Sequence, residues 1–403
     1  MENVQKLNVA QKTIVGIQFL FVAFGATVLV PLLVGLDPST ALFTAGIGTL
    51  LFHAVTKGQI PLFLGSSFAF IEPINKASAL YGMPGVMGGV IAVGVVYWLV
   101  SSLVKWKGIS LIKRLFPPVV IGPVIILIGL SLAGEGVKMA SNNWIVALIA
   151  LAAAVVISIV GRGLIKLIPV FVGIAVGYIV AIPFGLVDFA PIVEASWFAL
   201  PQFVAPKLSW GAIIFLAPVA IAPVIEHVGA LYALNGVAGK DFVKDPGLDR
   251  SLFGDGLACM TAGIFGGPPV TIYSEVTGAI SLTKVVDPAV LRIAAVTGIV
   301  FSVIGKVSAV LKSIPECVLG GIMMLLFGTI ASVGITTMVN EKVNLGETRN
   351  IIIASLTLTF GIGGAIFSIG EFSMTGIGLA AVIGVALNLI LPGGNKAEEK
   401  LEN

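Results

Sequence analysis

Charge is scarce in this chain. Of 403 residues, 20 are acidic and 23 basic, 11% in all, and there are only two histidines and two cysteines. A soluble domain carries about 25% charged residues, so this chain cannot clothe a water-facing surface of ordinary polarity. With 57% apolar residues and a mean hydropathy of +1.09, it also has too much to bury for a disordered chain. Cys259 and Cys317 both lie in apolar runs and read as helix-packing residues rather than a disulfide framework. His53 and His227 are too few for a histidine-based metal centre, and no metal or cofactor is expected. Neither Gly-x-Ser-x-Gly nor His-Glu-x-x-His occurs, so hydrolase and zinc-protease chemistry have no motif to rest on. What remains is a polytopic membrane protein that is not an enzyme and has no nucleic-acid partner.

What the chain does have is long apolar runs. A span needs about 20 apolar residues. Runs at 13–35, 40–56, 59–71, 83–104, 115–133, 143–161, 164–187, 209–236, 251–265, 270–283, 288–311, 315–334, 349–367 and 372–391 give fourteen segments. They are continuous rather than alternating, which argues against a transmembrane β-barrel. No cleavable signal is evident, and the first run is long enough to stay as a helix. With the N-terminus in the cytoplasm, inner loops and tails hold eighteen of the 23 basic residues, from Lys6 and Lys12 to Lys396 and Lys400. The outer loops hold only Lys76, Lys138, Lys207, Lys306 and Lys312. This split obeys the positive-inside rule, and the expectation is a cell (inner) membrane protein with both termini cytoplasmic.

Two segments are abnormal. The third, Gln59–Ile71, is too short to span and contains Pro61 and Gly65. The tenth is preceded by Gly266-Gly-Pro-Pro-Val-Thr271, where two adjacent prolines forbid a regular helix. An extended stretch followed by a half-helix fits both. Gly65 and Gly267 are about half a chain apart, and so are Pro117-Pro-Val-Val-Ile-Gly122 and Pro315-Glu-Cys-Val-Leu-Gly320. The expected fold is therefore an all-α polytopic membrane protein, with fourteen transmembrane segments in a seven-plus-seven inverted repeat and short extended stretches in segments 3 and 10. Paired broken segments in such a repeat point to a transporter's binding site.

Three carboxylates lie deep in apolar segments. Glu226, Asp255 and Glu275 are each costly at mid-bilayer unless they face a cavity or find a partner. Glu275 falls one turn into the half-helix after the prolines. A pair of buried carboxylates can exchange a proton near neutral pH, the chemistry a proton-coupled carrier requires. Asp255, between Gly254 and Gly256, reads as a helix-start cap or backbone partner. His227 reads equally as a proton carrier or a packed, hydrogen-bonded residue, and His53 as interfacial. Freed N–H groups around Phe68 and Ser274–Glu275 would donate to ligand carbonyls, while Glu226 and Glu275 accept from ligand N–H groups. Phe68 could stack on a flat ring. A planar molecule alternating C=O and N–H satisfies all of these.

At this point the chain resembles a known family, the nucleobase–cation symporter-2 family (nucleobase–ascorbate transporters), and within it the bacterial uracil permeases. The resemblance covers nearly the whole chain. It rests on Phe24-Gly-Ala-Thr-Val-Leu-Val-Pro31, Gly65-Ser-Ser-Phe-Ala-Phe70, Glu226-His-Val-Gly229, Asp245-Pro-Gly-Leu248 with Arg250-Ser251, and Tyr273-Ser-Glu275. It implies a core domain in two parts, 1–110 and 208–312, and a gate domain in two parts, 111–207 and 313–393, with a polar cytoplasmic tail at 394–403. It also implies an elevator-like motion of core against gate, and homodimers. Carried over by motif, Glu226 and Glu275 hold the base, and backbone at Ala26, Phe68 and Ser274 lines the pocket. Glu226, Glu275 and His227 are the proton-coupling candidates.

The chain departs from the uracil-permease pattern at Ala230, at Val276 and at Phe19. The expected function is import of a nucleobase, uracil first, by proton symport, with sodium as the alternative ion. Xanthine or another purine base, or an anion on the same fold, are the alternative cargoes. An anion site calls for cationic groups or bare helix dipoles, which two acids do not supply.

Overall fold

The computed structural model describes residues 8–163, 165–369 and 372–392. The polar tail at 394–403, and Lys6, Lys396 and Lys400 of the charge count, lie outside the described residues.

Local chemistry sets the helix starts. α1 (Val9–Leu33) begins with a capping box, in which Asn8 Oδ1 accepts from the Gln11 N–H and Gln11 Oε1 from the Asn8 N–H. α2 (Pro38–Val55) has Asp37 as its cap and proline in the first turn. Strand β1 (Leu64–Ser66) leads through a tight turn at Phe68–Phe70 into α3 (Ile71–Lys107). α3 is two helices joined at Gly82, whose φ of 67° with ψ of 162° lies in a region essentially reserved for glycine. α4 (Ile109–Leu115), α5 (Pro118–Ser141), α6 (Trp144–Val160), α7 (Pro169–Ala181) and α8 (Ala190–Glu194) follow. α9 (Trp210–Leu216) and α10 (Ile221–Ala238) flank a tight turn at Ala217–Ala220. Then come α11 (Leu248–Phe265), β2 (Val270–Ile272), α12 (Ser274–Thr283), α13 (Pro288–Ser302), α14 (Gly305–Lys312), α15 (Glu316–Asn340) and α16 (Thr348–Ile362). A hairpin of β3 (Ile366–Ile369) and β4 (Phe372–Thr375) precedes α17 (Gly376–Ile390).

Among the described residues, six helical stretches are long and apolar enough to cross a bilayer, and five further apolar helices have 10–17 residues. The chain is a predominantly helical, multi-pass membrane protein, with four short strands among the described residues. Its element boundaries differ from the sequence reading where glycine and proline cut apolar runs. The run at 209–236 stays one helical stretch that tightens to a 3₁₀ turn at Ala217–Ala220 around Pro218, and the run at 288–311 breaks at 303–304. The third segment continues as helix past residue 71, as far as Gly82. The ends of the last two runs form the β3–β4 hairpin, with Gly363 and Gly364 leaving α16 and Thr375 starting α17.

The helices pack in two sets. In one, α11 lies on α2 and α3, α13 on α1 and α2, α9 on α3, and α12 on α1 and α10. In the other, α15 lies along α5 and against α6 and α7, while α16 and α17 pack on each other and on α5. The sets meet where α10 reaches α5 and α17 and where α1 reaches α7.

The long connection from α7 to α9 is bonded along the first set. Lys306 Nζ donates to the carbonyls of Ile192 and Val193 at 2.6 and 2.9 Å. Gly305 N–H donates to Trp197 O at 3.0 Å, Ala199 N–H to Val303 O at 3.1 Å, and Lys207 N–H to Pro84 O at 2.8 Å. Asp37 is the hub. Its carboxylate accepts from Ser39 N–H (3.0 Å), Gln202 N–H (3.2 Å) and Ser308 Oγ (3.1 Å), and Lys312 Nζ is 3.4 Å away. Asp37→Ala removes a helix cap and three further contacts. It should cost about 2–3 kcal/mol, read as a lower melting temperature of the purified protein in detergent.

Asp287 plays a comparable part at the other end. It caps α13 through Ala289 N–H at 2.9 Å and pairs with Lys12 of α1 at 2.7 Å. Partial burial pushes its carboxyl up. The Lys12 hydrogen bond, the Ala289 N–H and the charges of Lys12 and Arg292 outweigh that and hold it below the usual carboxylate range. A depressed carboxyl stabilises the fold above the unfolded-state value and loses that contribution as the pH falls through its folded value. The stabilisation should therefore be intact above about pH 4 and fade on further acidification. Lys12→Met should flatten this acid limb of the melting profile.

Candidate functional site

The site is built on the crossing of the two interrupted segments. β1 and β2 pair antiparallel, with Leu64 opposite Ile272, Gly65 opposite Thr271 and Ser66 opposite Val270. Ser67 N–H to Pro269 O (2.9 Å) and Tyr273 N–H to Phe63 O (3.3 Å) extend the ladder at its ends. Pro61 on one side and the proline pair before Val270 on the other keep these stretches out of helix. A bilayer offers no water to satisfy an open backbone, so the two stretches satisfy each other.

Side chains complete that account. Thr49 and His53, four residues apart on α2, face the first stretch. Leu64 N–H donates to Thr49 Oγ1 at 2.9 Å, and His53 Nε2 donates to Leu62 O at 2.8 Å. His53 is buried, not interfacial, because the Leu62 carbonyl needs a donor there. Tyr273 Oη donates to Ser66 O at 2.9 Å and accepts from Thr27 Oγ1 of α1 at 3.3 Å. A Cβ on Gly65 would run into the Tyr273 ring, so only glycine permits this crossing.

Each strand runs straight into a helix start, and because the pairing is antiparallel the two starts, each with backbone N–H groups that lack an intrahelical partner, lie at opposite ends of the ribbon. Phe68 sits in the first of these turns, buried, its ring edge-on to Phe327 of α15 with centroids 5.4 Å apart. Ser274 and Glu275 are the first two residues of α12. Ala26 is buried on α1, next to Thr27. Glu226 lies in the second turn of α10, which packs against α12 and β2. Glu226 and Glu275 are within electrostatic range of each other. Glu226 is half-buried and Glu275 exposed, and neither carboxylate has a side-chain partner among the described residues. Two acids so placed can accept from N–H groups of a ligand while the helix starts donate to its carbonyls.

His227 faces away from this pair. Its Nδ1 lies 2.7 Å from Asp255 Oδ2 and its Nε2 2.8 Å from Ser251 Oγ, all three residues being fully buried. The Ser251 hydroxyl donates to Leu248 O at 3.2 Å, so Nε2–H donates to Oγ, and the short Nδ1 contact then shares a second proton with Asp255. Held this way, the pair is neutral overall, which is what complete burial favours. Asp255 is thus a mid-helix partner of His227 rather than a helix-start cap. The three positions that depart from the family pattern, Phe19, Ala230 and Val276, are all buried and apolar.

Sequence reasoning had not assigned Thr27, Thr49 or Ser251. The available signal was polar residues recurring at helical spacing in apolar helices, as at Thr49 and His53.

The profile of a family described as the Permease family matches residues 10–369. The chain belongs to this family, that of the nucleobase–ascorbate transporters. A probable uracil permease of Pasteurella multocida is 48% identical over 394 residues, 96% of this chain and 94% of that one. A uracil permease of Bacillus caldolyticus is 46% identical over 98% of this chain and 95% of its own. Among solved structures, the transmembrane domain of a cyanobacterial bicarbonate transporter, BicA, superposes with a TM-score of 0.67 at 15% identity, covering 96% of this chain and 98% of that one. That likeness is one of fold. Membership of the permeases makes the chain a membrane transporter and not an enzyme.

Gly65→Ala should disturb the crossing itself. The expected cost is about 1–3 kcal/mol of stability from overpacking against Tyr273, with part of the loss recovered in Gly65→Ala/Tyr273→Leu. Thermal melting of the three variants checks it.

Proposed function

We propose that the chain imports a nucleobase, uracil first, together with a proton, by moving a core unit against a gate unit. The observation that carries this reading is the pair Glu226 and Glu275, unpartnered and within electrostatic range of each other beside two helix starts. Uracil alternates C=O and N–H around a flat ring and matches that set of acceptors and donors. The two relatives cited are named for uracil and span almost the whole chain. Phe68 supplies an aromatic face, and backbone at Ala26, Phe68 and Ser274 lines the ligand's edges.

The two packed sets of helices support the core and gate assignment: 1–110 with 208–312, and 111–207 with 313–393. The matched β1 and β2, each leading into a half-helix, and the matched starts of α5 and α15 at Pro117 and Pro315 support the inverted repeat of fourteen segments. The excess of Lys and Arg in alternate loops supports cytoplasmic termini in the inner membrane. Homodimers remain an expectation of the family resemblance.

In this mechanism the ligand pairs the polar groups of the site, which lowers the cost of carrying them past the gate. The coupling proton resides on Glu226, on Glu275 or in the His227–Asp255 pair. Anion transport, the activity named for BicA, calls for cationic groups where this chain presents two acids.

Uptake of labelled uracil into proteoliposomes tests the reading. Glu226→Ala and Glu275→Ala should each lower uptake by roughly 10- to 100-fold, the loss of hydrogen bonds to a charged group. Full uptake by Glu226→Ala would refute the assignment. An inward proton gradient without sodium should accelerate uptake. Acceleration only by a sodium gradient would reassign the coupling ion, and xanthine outcompeting uracil would reassign the base.

A further inference from the structure

An open cleft is lined by residues other than Glu226 and Glu275. It has a volume of about 500 Å³, within the range of small-molecule sites. One wall is the first turns of α3, where Glu72, Asn75, Lys76 and Ala79 recur at helical spacing. The facing wall is the second half of α5, through Ser131 and Glu135. α3 belongs to the first set of helices and α5 to the second, so the cavity lies between the two units. The start of α17 closes on the same place: a Cβ on Gly376 would come 3.2 Å from Glu72 Oε2. Following α3 backwards from the cavity leads within a turn to Phe68, which rests on Phe327 of α15, the partner helix of α5.

The charges in this cavity are already matched. Lys76 Nζ is 2.6 Å from Glu72, and Lys138 Nζ is 3.7 Å from Glu135. What is left over is neutral hydrogen-bonding capacity. Asn75 spends one N–H on Leu33 O at 3.3 Å and keeps its carbonyl oxygen and second N–H. Ser131 donates to Leu127 O at 2.6 Å and keeps its acceptor lone pairs. An amide on one wall and a hydroxyl acceptor on the facing wall can together meet the C=O and N–H of an imide, and give no advantage to an anion. Lys76, in the second turn of α3, and Lys138, in the last turn of α5, are both among the basic residues that the charge count assigns to the outer side, so on that count the cleft faces the medium from which cargo comes.

We propose that this cavity is an outer waiting site, where a neutral imide-bearing ring binds weakly to Asn75 and Ser131 before it passes Phe68 to the two glutamates. The inference rests on the function proposed above, and its test separates the two. Ser131→Cys and, as a second reporter, Ala79→Cys are labelled in proteoliposomes with a membrane-impermeant maleimide. Cys259 and Cys317 are both buried and add little background. Uracil should slow labelling of both reporters, at concentrations above those that saturate uptake. The protection should persist when Glu226→Ala is added, and Asn75→Leu should raise the protecting concentration about fivefold.

Protection that vanishes with Glu226→Ala would mean the cavity is merely covered when the central site fills, and would overturn the waiting site. So would reporters that react only with permeant reagent, or an Ala79→Cys protein, its Asn75 and Ser131 intact, that takes up uracil without protecting residue 79. A parent protein with neither uracil uptake nor protection would overturn the functional reading instead.

Discussion

The rest of the molecule depends on one constraint: backbone that leaves the helix inside a bilayer must find all its partners within the protein. β1 and β2 meet that constraint by pairing with each other, and Thr49, His53 and Tyr273 supply bonds at the flanks of the ladder. The pairing ties segments some 200 residues apart at a single point. Everything placed on those segments, Phe68 on one side and Ser274 and Glu275 on the other, is positioned by it. Gly65 and Tyr273 are two halves of one fit, since the ring occupies the volume a side chain at 65 would need.

Around this crossing the acidic groups divide by environment. Among the described residues, neither the Glu226 nor the Glu275 carboxylate has a side-chain partner. Asp255 is fully buried and bonded to His227, itself held by Ser251. Burial of a lone charge at that depth would be costly, and a shared proton makes the pair neutral. Glu226 and His227 are adjacent in sequence yet serve different neighbourhoods, because successive residues on a helix point about 100° apart.

The similarity to a bicarbonate transporter's membrane domain sets a useful boundary. Nearly the whole chain superposes at 15% identity, so the architecture tolerates almost complete replacement of its side chains. Cargo is therefore a matter of particular side chains and not of the architecture. In the function proposed above, those groups are two acids, two helix starts and an aromatic ring, a set suited to a neutral heterocycle.

Much of this was legible in the amino-acid sequence, and for one reason: lipid imposes a simple rule on composition and length. Scarce charge, long apolar runs and the alternation of basic loops identify a multi-pass protein without reference to coordinates. Pro61, Gly65 and the Pro268–Pro269 pair mark the interrupted segments, because proline and glycine act on the backbone locally. Partnership was not legible. Nothing local joins Gly65 to Tyr273, His53 to the Leu62 carbonyl, or His227 to Asp255, and the break at 303–304 vanishes inside a run that looks continuous by hydropathy alone. Those features depend on which groups meet across helices, and only the packing of the whole chain decides that.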